Sequence, residues 1–226
     1  MRALTTLAAV LGGLCGFLAP AVSSAQAPNL LVNPHFDTDL SGWGDPLFVG
    51  WDGAHDAGSS PASGSAESFR FLDGPNSCIE PLFQCVTGLS GGTRYDFGGQ
   101  IIIPHDLNQT TGGQGAVGVH WYSDTCGGTL IGSAFGPVVD STAAGGAWTA
   151  SDTAGFTSPA GTTSALIVGR SCIFGVGNLE MFWDDMFFRP TPAFDPAVPA
   201  LDRRGIVLLA LLLAGAGLLA LRRLAA

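Results

Sequence analysis

The residues that could support catalysis are few, and they do not form recognisable sets. Only three glutamates occur, with no pair suited to glycosidic cleavage: Glu67, Glu80 and Glu180. The four histidines show no metal-ligand spacing: His35, His55, His105 and His120. Gly88-Leu-Ser-Gly-Gly92 matches G-x-S-x-G, but a strand follows where a nucleophile elbow needs a helix, so Ser90 is predicted to be a turn residue. These patterns indicate a chain that is not an enzyme.

Side chains suited to sugar binding are present. Aromatic rings stack on the apolar faces of sugars, while amide and acid groups fix the hydroxyls. The candidate contacts lie on strand faces opposite the presumed core or in loops: Gln100, His120 and Tyr122 on strands, and Trp51 and Trp148 in loops. Simple packing or surface exposure is the competing interpretation for each of them.

Charge argues against a nucleic-acid partner. The chain contains no lysine, and residues 26–195 hold four arginines against 17 acidic residues, since Asp202 is the only one of the 18 acids outside them. The formal charge of that segment is therefore −13, and such a surface repels phosphates.

The N-terminus has the layout of a signal peptide. Met1-Arg2 is a basic start, Leu4 to Val22 is apolar, and Ser23-Ser24-Ala25 supplies the small residues that a signal peptidase recognises. Residues 1–25 are therefore predicted to be removed. Lipid attachment at Cys15 would need a small residue before it, and Leu14 occupies that position.

The C-terminus predicts a transmembrane helix. Gly205 to Leu221 carries no charge and is apolar on every side, unlike an amphipathic core helix. As a helix it would be about 26 Å long, close to the ~30 Å hydrocarbon core. Residues 190–204 are rich in proline and predict an extended stalk, and residues 222–226, with Arg222-Arg223, predict a short cytoplasmic end.

Four cysteines remain after signal removal, and an oxidising compartment would pair them: Cys78, Cys85, Cys126 and Cys172. Three connectivities are possible. We expect Cys78–Cys85, closing a short loop, and Cys126–Cys172, joining distant strands. A zinc site is the alternative, but the C-x-x-C spacing is absent.

The segment between the two ends predicts short strands rather than helices. Tyr95 to Ile103 places Tyr95, Phe97 and Ile101 on one side, and Ala116 to Tyr122 places Val117, Val119 and Trp121 on one side. In the last strand, Phe182, Asp184, Met186 and Phe188 are expected to share a face. Turn residues separate these runs, so the fold class is all-β, a β-sandwich over residues 26–189.

The C-terminal region resembles the IPTL-CTERM sorting signal, a relative of PEP-CTERM. Val198-Pro-Ala-Leu-Asp-Arg-Arg-Gly205, the apolar run and Arg222-Arg223 carry this resemblance. Val198, Ala200 and Arg204 depart from the usual motif. The resemblance implies processing by an exosortase-like membrane protease and a cell-surface or extracellular-polymer context.

The central segment resembles galactose-binding-like jelly rolls, which include many carbohydrate-binding modules. Three motifs carry the resemblance in order: Asn29-Leu-Leu-Val-Asn-Pro-His-Phe-Asp37 with Leu40-Ser-Gly-Trp43, Val86-Thr-Gly-Leu-Ser-Gly-Gly-Thr-Arg-Tyr95, and Phe182-Trp-Asp-Asp-Met-Phe-Phe188. It implies a jelly-roll sandwich and leaves the ligand open.

That resemblance also implies a structural calcium ion. In the family, an acid of the opening motif and one of the last strand often share the ion, and the matching positions are Asp37 and Asp184. Asp184 is expected on the inward side of its strand, where a buried carboxylate needs a cation or hydrogen bonds. Solvated or turn-capping acids are the alternative.

The sequence therefore predicts an exported, envelope-anchored, non-catalytic surface protein that binds carbohydrate, with extracellular polysaccharide as the expected ligand. The alternative is a structural or adhesive surface protein without a sugar site.

Overall fold

The computed structural model describes residues 26–44, 49–58, 62–72, 76–104, 112–141, 146–174 and 177–192. The predicted signal peptide, sorting motif, apolar segment 205–221 and basic end lie outside the described residues. Within the described ranges, no helix is long and apolar enough to cross a membrane.

Regular structure in the described part of the chain consists of strands. Their bounds are β1 Val49–Asp52, β2 Ser65–Leu72, β3 Ser77–Thr87, β4 Arg94–Ile102, β5 Gln114–Tyr122, β6 Leu130–Phe135, β7 Val139–Asp140, β8 Thr149–Ala150, β9 Thr153–Thr157, β10 Ser164–Ile173 and β11 Gly177–Pro190. The all-β prediction is confirmed.

The strands form two antiparallel sheets. A six-stranded sheet has the order β1-β2-β11-β4-β8, with β9 also pairing with β4. A five-stranded sheet has the order β3-β10-β5-β6, with β7 also pairing with β5. Buried apolar side chains from both sheets belong to one core cluster, so the chain is a β-sandwich.

Alternation along β4 and β5 determines which side chains enter the core. Tyr95, Phe97 and Ile101 of β4 are buried in the cluster, as are Val119 and Trp121 of β5. Because side chains alternate along a strand, His120 must point away from the core. The predicted inward faces of these two strands are confirmed.

Alternation along β11 breaks in the middle, which the sequence did not predict. Met181 and Trp183 enter the core before the break, whereas Met186 and Phe188 enter it afterwards. The register with β4 shifts between Asp184 and Phe187, and Asp185 has a φ of 49°. This β-bulge inserts one extra residue, so even- and odd-numbered side chains exchange faces.

The N-terminal segment forms hydrogen bonds with both sheets. The Asn29 side chain donates to the carbonyl of Met186 at 2.9 Å and accepts from the backbone N–H of Phe188 at 3.0 Å. Further along, the N–H of Gly44 donates to the carbonyl of Phe83 on β3 at 2.7 Å. The segment therefore bonds first to the six-stranded sheet and then to the five-stranded one.

Two disulfides are present, but the predicted pairing is wrong. The bridges are Cys78–Cys172 and Cys85–Cys126, with Cα–Cα distances of 4.0 and 6.0 Å. Cys78 and Cys85 lie on the same strand, β3, and are seven residues apart. An extended strand separates such residues by roughly 24 Å, far beyond the reach of a disulfide.

Peptide mapping of the oxidised protein should recover Cys78 linked to Cys172 and Cys85 linked to Cys126. Replacing both Cys85 and Cys126 by Ser should lower the free energy of unfolding by roughly 2–4 kcal/mol, because the bridge restricts the unfolded chain over a separation of 41 residues. Chemical denaturation measures this loss. A peptide linking Cys78 to Cys85 would contradict the pairing.

Candidate ligand-binding face

The five-stranded sheet presents a face to solvent, here called the outer face. It is formed by side chains that point away from the core on four neighbouring strands. Register pairs Leu166 of β10 with Cys85 of β3 and with His120 of β5, and pairs His120 with Ser133 of β6. A second row contains Phe83, Val168, Gly118 and Phe135.

A chain of polar contacts crosses this face. Nε2 of His120 lies 2.8 Å from Oε2 of Glu80, and Nδ1 lies 2.6 Å from Oγ of Ser133. A neutral imidazole protonated on Nε2 would donate to Glu80 and accept from the Ser133 hydroxyl, so one tautomer satisfies both contacts. Glu80 on β3 and His120 on β5 meet across β10, where Val168 is fully buried. The pair therefore forms a ridge over the middle strand.

The ridge sets the charge state of its acid. The hydrogen bond from His120 holds the pKa of Glu80 below its ordinary value, with a smaller attraction from Arg170, while partial burial acts in the opposite direction. Glu80 is therefore a carboxylate at neutral pH.

A groove of about 190 Å³ lies on one side of the ridge. We call it the Arg170 groove. Its lining includes the Cys78–Cys172 disulfide and a mixture of apolar and polar side chains: Gln114, Ala116, Phe135, Val138, Arg170 and Phe174. The guanidinium carbon of Arg170 lies 4.8 Å from the centre of the Phe135 ring, within the range of a cation–π contact.

A second, more open groove of about 700 Å³ lies toward the β3 edge. We call it the Leu166 groove. The Cys85–Cys126 disulfide contributes to its lining, together with Trp43, Phe83, Thr87, Thr125 and Leu166. Each groove therefore combines ring faces with hydroxyl, amide or guanidinium groups, which is a composition suited to sugars.

Two of the predicted contact residues lie on β5, on the side away from the core. His120 is half-buried at the ridge, and Tyr122 lies at the end of the strand with 9% of its surface exposed. Tyr122 therefore has little area for a ligand.

The other predicted contact residues lie elsewhere. Gln100 is on β4 of the six-stranded sheet, so its outward side chain lies on the opposite side of the sandwich from His120. Trp51 is on strand β1 rather than in a loop, and its Nε1–H donates to the Phe36 carbonyl at 2.7 Å. Trp148 is half-buried and precedes β8, at the other edge of that sheet from β1. The structure does not bring the five residues together.

The two acids expected to hold calcium differ in their surroundings. Asp37 is exposed, whereas Asp184 is 1% exposed, and burial raises the pKa of Asp184 to about 7. The two Asp184 oxygens accept from the N–H groups of Ala57 and Asp185 at 2.8 and 2.7 Å. The expected inward position is wrong for Asp184, because Trp183 enters the core and Asp184 takes the opposite face before the bulge.

The described residues bring few metal-binding side chains together. They contain no group of three or more His, Cys, Asp or Glu side chains that could hold a metal ion. The two oxygens of Asp184 accept hydrogen bonds from backbone N–H groups, which offset part of the cost of burying this side chain. Calcium at Asp37 and Asp184 therefore stays a sequence prediction, and we derive no calcium-dependent step.

Sequence reasoning missed Glu80, Ser133 and Phe135. Each lies on a different strand from His120, and only the sheet order brings them together. Arg170 did carry a signal, since it is in phase with Leu166 and Val168 and alternates with Ile167 and Gly169 along a strand. An arginine in phase with outward side chains of a sandwich strand is a candidate for ligand contact.

The hydroxyl–imidazole–carboxylate order of Ser133, His120 and Glu80 matches the hydrogen-bond order of a catalytic triad. Acyl transfer also requires donors aimed at the developing oxyanion. Ser133 lies within the β5–β6 ladder, opposite His120, rather than at a sharp turn that would present such donors. We therefore interpret the three side chains as a network that positions the ridge.

Glu80→Gln tests this network through its pH dependence. A carboxylate whose pKa is lowered in the folded state stabilises the fold above its ordinary pKa of 4.5, and the effect is lost as the pH falls through the lowered pKa. The substitution should cost about 1 kcal/mol at pH 7 and progressively less below pH ~4.5. Unfolding in urea across this pH range measures the difference.

The matched control is the same substitution in a His120→Gln background. The cost at pH 7 should shrink there, because the partner of Glu80 is already gone. An equal cost in both backgrounds would contradict the network.

Comparison with models of known families and with curated proteins finds no match. Solved structures do match. A xylan-binding domain of carbohydrate-binding family 22 aligns with a TM-score of 0.52 and 11% identity, over 74% of this chain and 97% of that one. The C-terminal family 22 module of Clostridium thermocellum Xyn10B gives 0.50 and 11%, over 71% and 97%.

A third match is a family 61 module, TmCBM61, in complex with beta-1,4-galactotriose. It has 22% identity and a TM-score of 0.47, over 73% of this chain and 99% of that one. The two family 22 matches show the fold: the chain shares their β-sandwich.

Proposed function

We propose that the chain is a non-catalytic jelly-roll module that binds polysaccharide on the outer face of its five-stranded sheet. The observation that carries the proposal is the composition of that face. Two grooves with ring faces and polar groups flank the Glu80–His120 ridge. The fold supports the same function, because one of the family 22 modules that share this sandwich is a xylan-binding domain.

The polar groups of the outer face are suited to sugar hydroxyls. Glu80 supplies acceptor oxygens, Arg170 supplies donors, and the Gln114 amide supplies both. The rings of Phe135 and Phe174 supply apolar surface, and 37% of Phe174 is exposed. A glycan combines ring faces with hydroxyls, so this mixture fits it better than a purely apolar or purely charged ligand.

Xylan provides the first test. Wild-type protein should bind soluble xylan saturably, and Phe135→Ala should weaken the affinity about ten-fold, because it removes a ring face and the support under Arg170. Isothermal calorimetry measures the affinity.

The matched control is Phe71→Ala. Phe71 is 73% exposed on β2 of the other sheet, so its removal should leave xylan affinity unchanged. Failure of the wild-type protein to bind xylan or any member of a glycan panel would refute the proposal and favour a structural or adhesive surface role.

We also propose export and anchoring at the cell envelope. The basic start and apolar stretch before Ala25, the apolar segment 205–221 and the IPTL-CTERM-like tail support this location. Two disulfides support it independently, since such bridges persist in oxidising compartments. An exosortase-like protease would be the processing partner.

Cell fractionation tests the location. The full chain made in bacterial cells should appear in the membrane fraction, with its disulfides formed. A variant ending at residue 204 should move to the soluble fraction of the envelope, because the apolar segment is missing. Full-length chain found in the cytoplasm with reduced cysteines would contradict the proposal.

A further inference from the structure

We propose that the glycan is largely neutral but carries isolated carboxylate groups, as uronic acid branches do, and that Arg170 binds such a carboxylate. This inference rests on the proposed function and specifies the ligand class for the same face.

Arg170 is placed to receive an anion. It lies half-buried on the outer face of β10, with its guanidinium stacked over the Phe135 ring. Among the described residues, no hydrogen bond and no ion pair within 4.0 Å involves this guanidinium. A guanidinium has five N–H donors in a planar fork, and stacking on a ring covers its face while leaving those edges available.

The other three arginines of the domain bond to protein groups. Arg70 donates to the carbonyl of Ser171 at 2.8 Å, and Arg94 donates to the carbonyl of Gly155 at 3.1 Å. Arg189 lies 4.0 Å from Asp96. Arg170 therefore differs from them in facing a groove without an acceptor of its own.

The acids near the Arg170 groove have other partners. Oε2 of Glu80 lies 2.8 Å from His120, and Oδ2 of Asp140 accepts from the Gln114 amide at 3.2 Å. The attraction between Arg170 and Glu80 acts at a distance beyond an ion pair. A ligand carboxylate could therefore take the guanidinium without displacing an internal salt bridge, and its planar shape matches the fork in a bidentate contact.

The size of the Arg170 groove fits a single sugar branch of a glycan rather than the glycan backbone. Its volume of about 190 Å³ is smaller than the roughly 300–1,000 Å³ of pockets that hold drug-sized molecules. Val138 and Phe174 add apolar walls, with 57% and 37% of their surfaces exposed. One acidic sugar could enter the groove, while the backbone of the glycan crosses the outer face.

Net charge excludes a polyanion. Residues 26–195 carry a formal charge of −13, so a continuous run of carboxylates would be repelled over most of the surface. An isolated carboxylate avoids this repulsion, because charges more than about 8 Å apart are screened at physiological salt. Arg170, as a cation that faces one groove of an acidic domain, thus favours sparse acidic branches on a neutral glycan backbone.

Three glycans test the inference by calorimetry: xylan with sparse glucuronic acid branches, the same xylan after reduction of its carboxyl groups, and polygalacturonate. Wild-type protein should bind the native xylan at least ten-fold more tightly than the reduced xylan. It should bind polygalacturonate more weakly than the native xylan. The Arg170→Gln variant should bind native and reduced xylan with equal affinity.

Arg94→Gln is the matched control, since it removes the same charge from the other sheet and should keep the wild-type preference. Thermal unfolding checks that each variant folds; if Arg170→Gln does not, Arg170→Lys should fold and show a reduced preference for native over reduced xylan.

Equal wild-type affinity for native and reduced xylan would overturn this inference while leaving glycan binding intact. No binding to either xylan would overturn both, and tighter binding of polygalacturonate would overturn the sparse-charge argument.

Discussion

The architecture depends on aromatic packing between the two sheets. The ring of Trp121 on β5 lies 5.5 Å from Tyr95, 5.9 Å from Phe156 and 5.8 Å from Phe188, all of which belong to the other sheet. Burying such large rings supplies a major part of the hydrophobic stabilisation and fixes which side of β5 faces inward. Because the next side chain must point the other way, the position of Trp121 places His120 on the outer face. The side chains of the outer face are thus placed by the packing of the core.

The part of the fold that was predicted from the sequence is the part that follows from local periodicity. The inward faces of β4 and β5 followed from regular alternation, which holds wherever the ladder is unbroken. Alternation failed at Asp185, because a bulge depends on a single left-handed residue and leaves no periodic signal. The disulfide prediction failed for a related reason: proximity in sequence suggested a short loop, whereas Cys78 and Cys85 occupy one continuous extended strand.

The candidate site was less predictable than the fold. An outward position for His120 follows from its own strand, but Glu80 and Ser133 join it only because β3, β10, β5 and β6 lie in that order. Gln100 also shows that the pattern of one strand is not enough to predict the site. It does point away from the core, yet β4 belongs to the six-stranded sheet, and alternation says nothing about which sheet a strand joins. Sheet membership is a long-range property that one strand's pattern does not contain.

The two disulfides that the structure shows connect the fold to the proposed site. Both bridges begin on β3: Cys78–Cys172 contributes to the Arg170 groove, and Cys85–Cys126 contributes to the Leu166 groove. Each bridge therefore fixes one wall of a groove covalently. Sugars gain modest energy from each contact, so ordering flexible walls on binding would consume much of it, and a preformed face avoids that cost. The proposed binding face would then require an oxidising compartment, which links the predicted export of the chain to its proposed function.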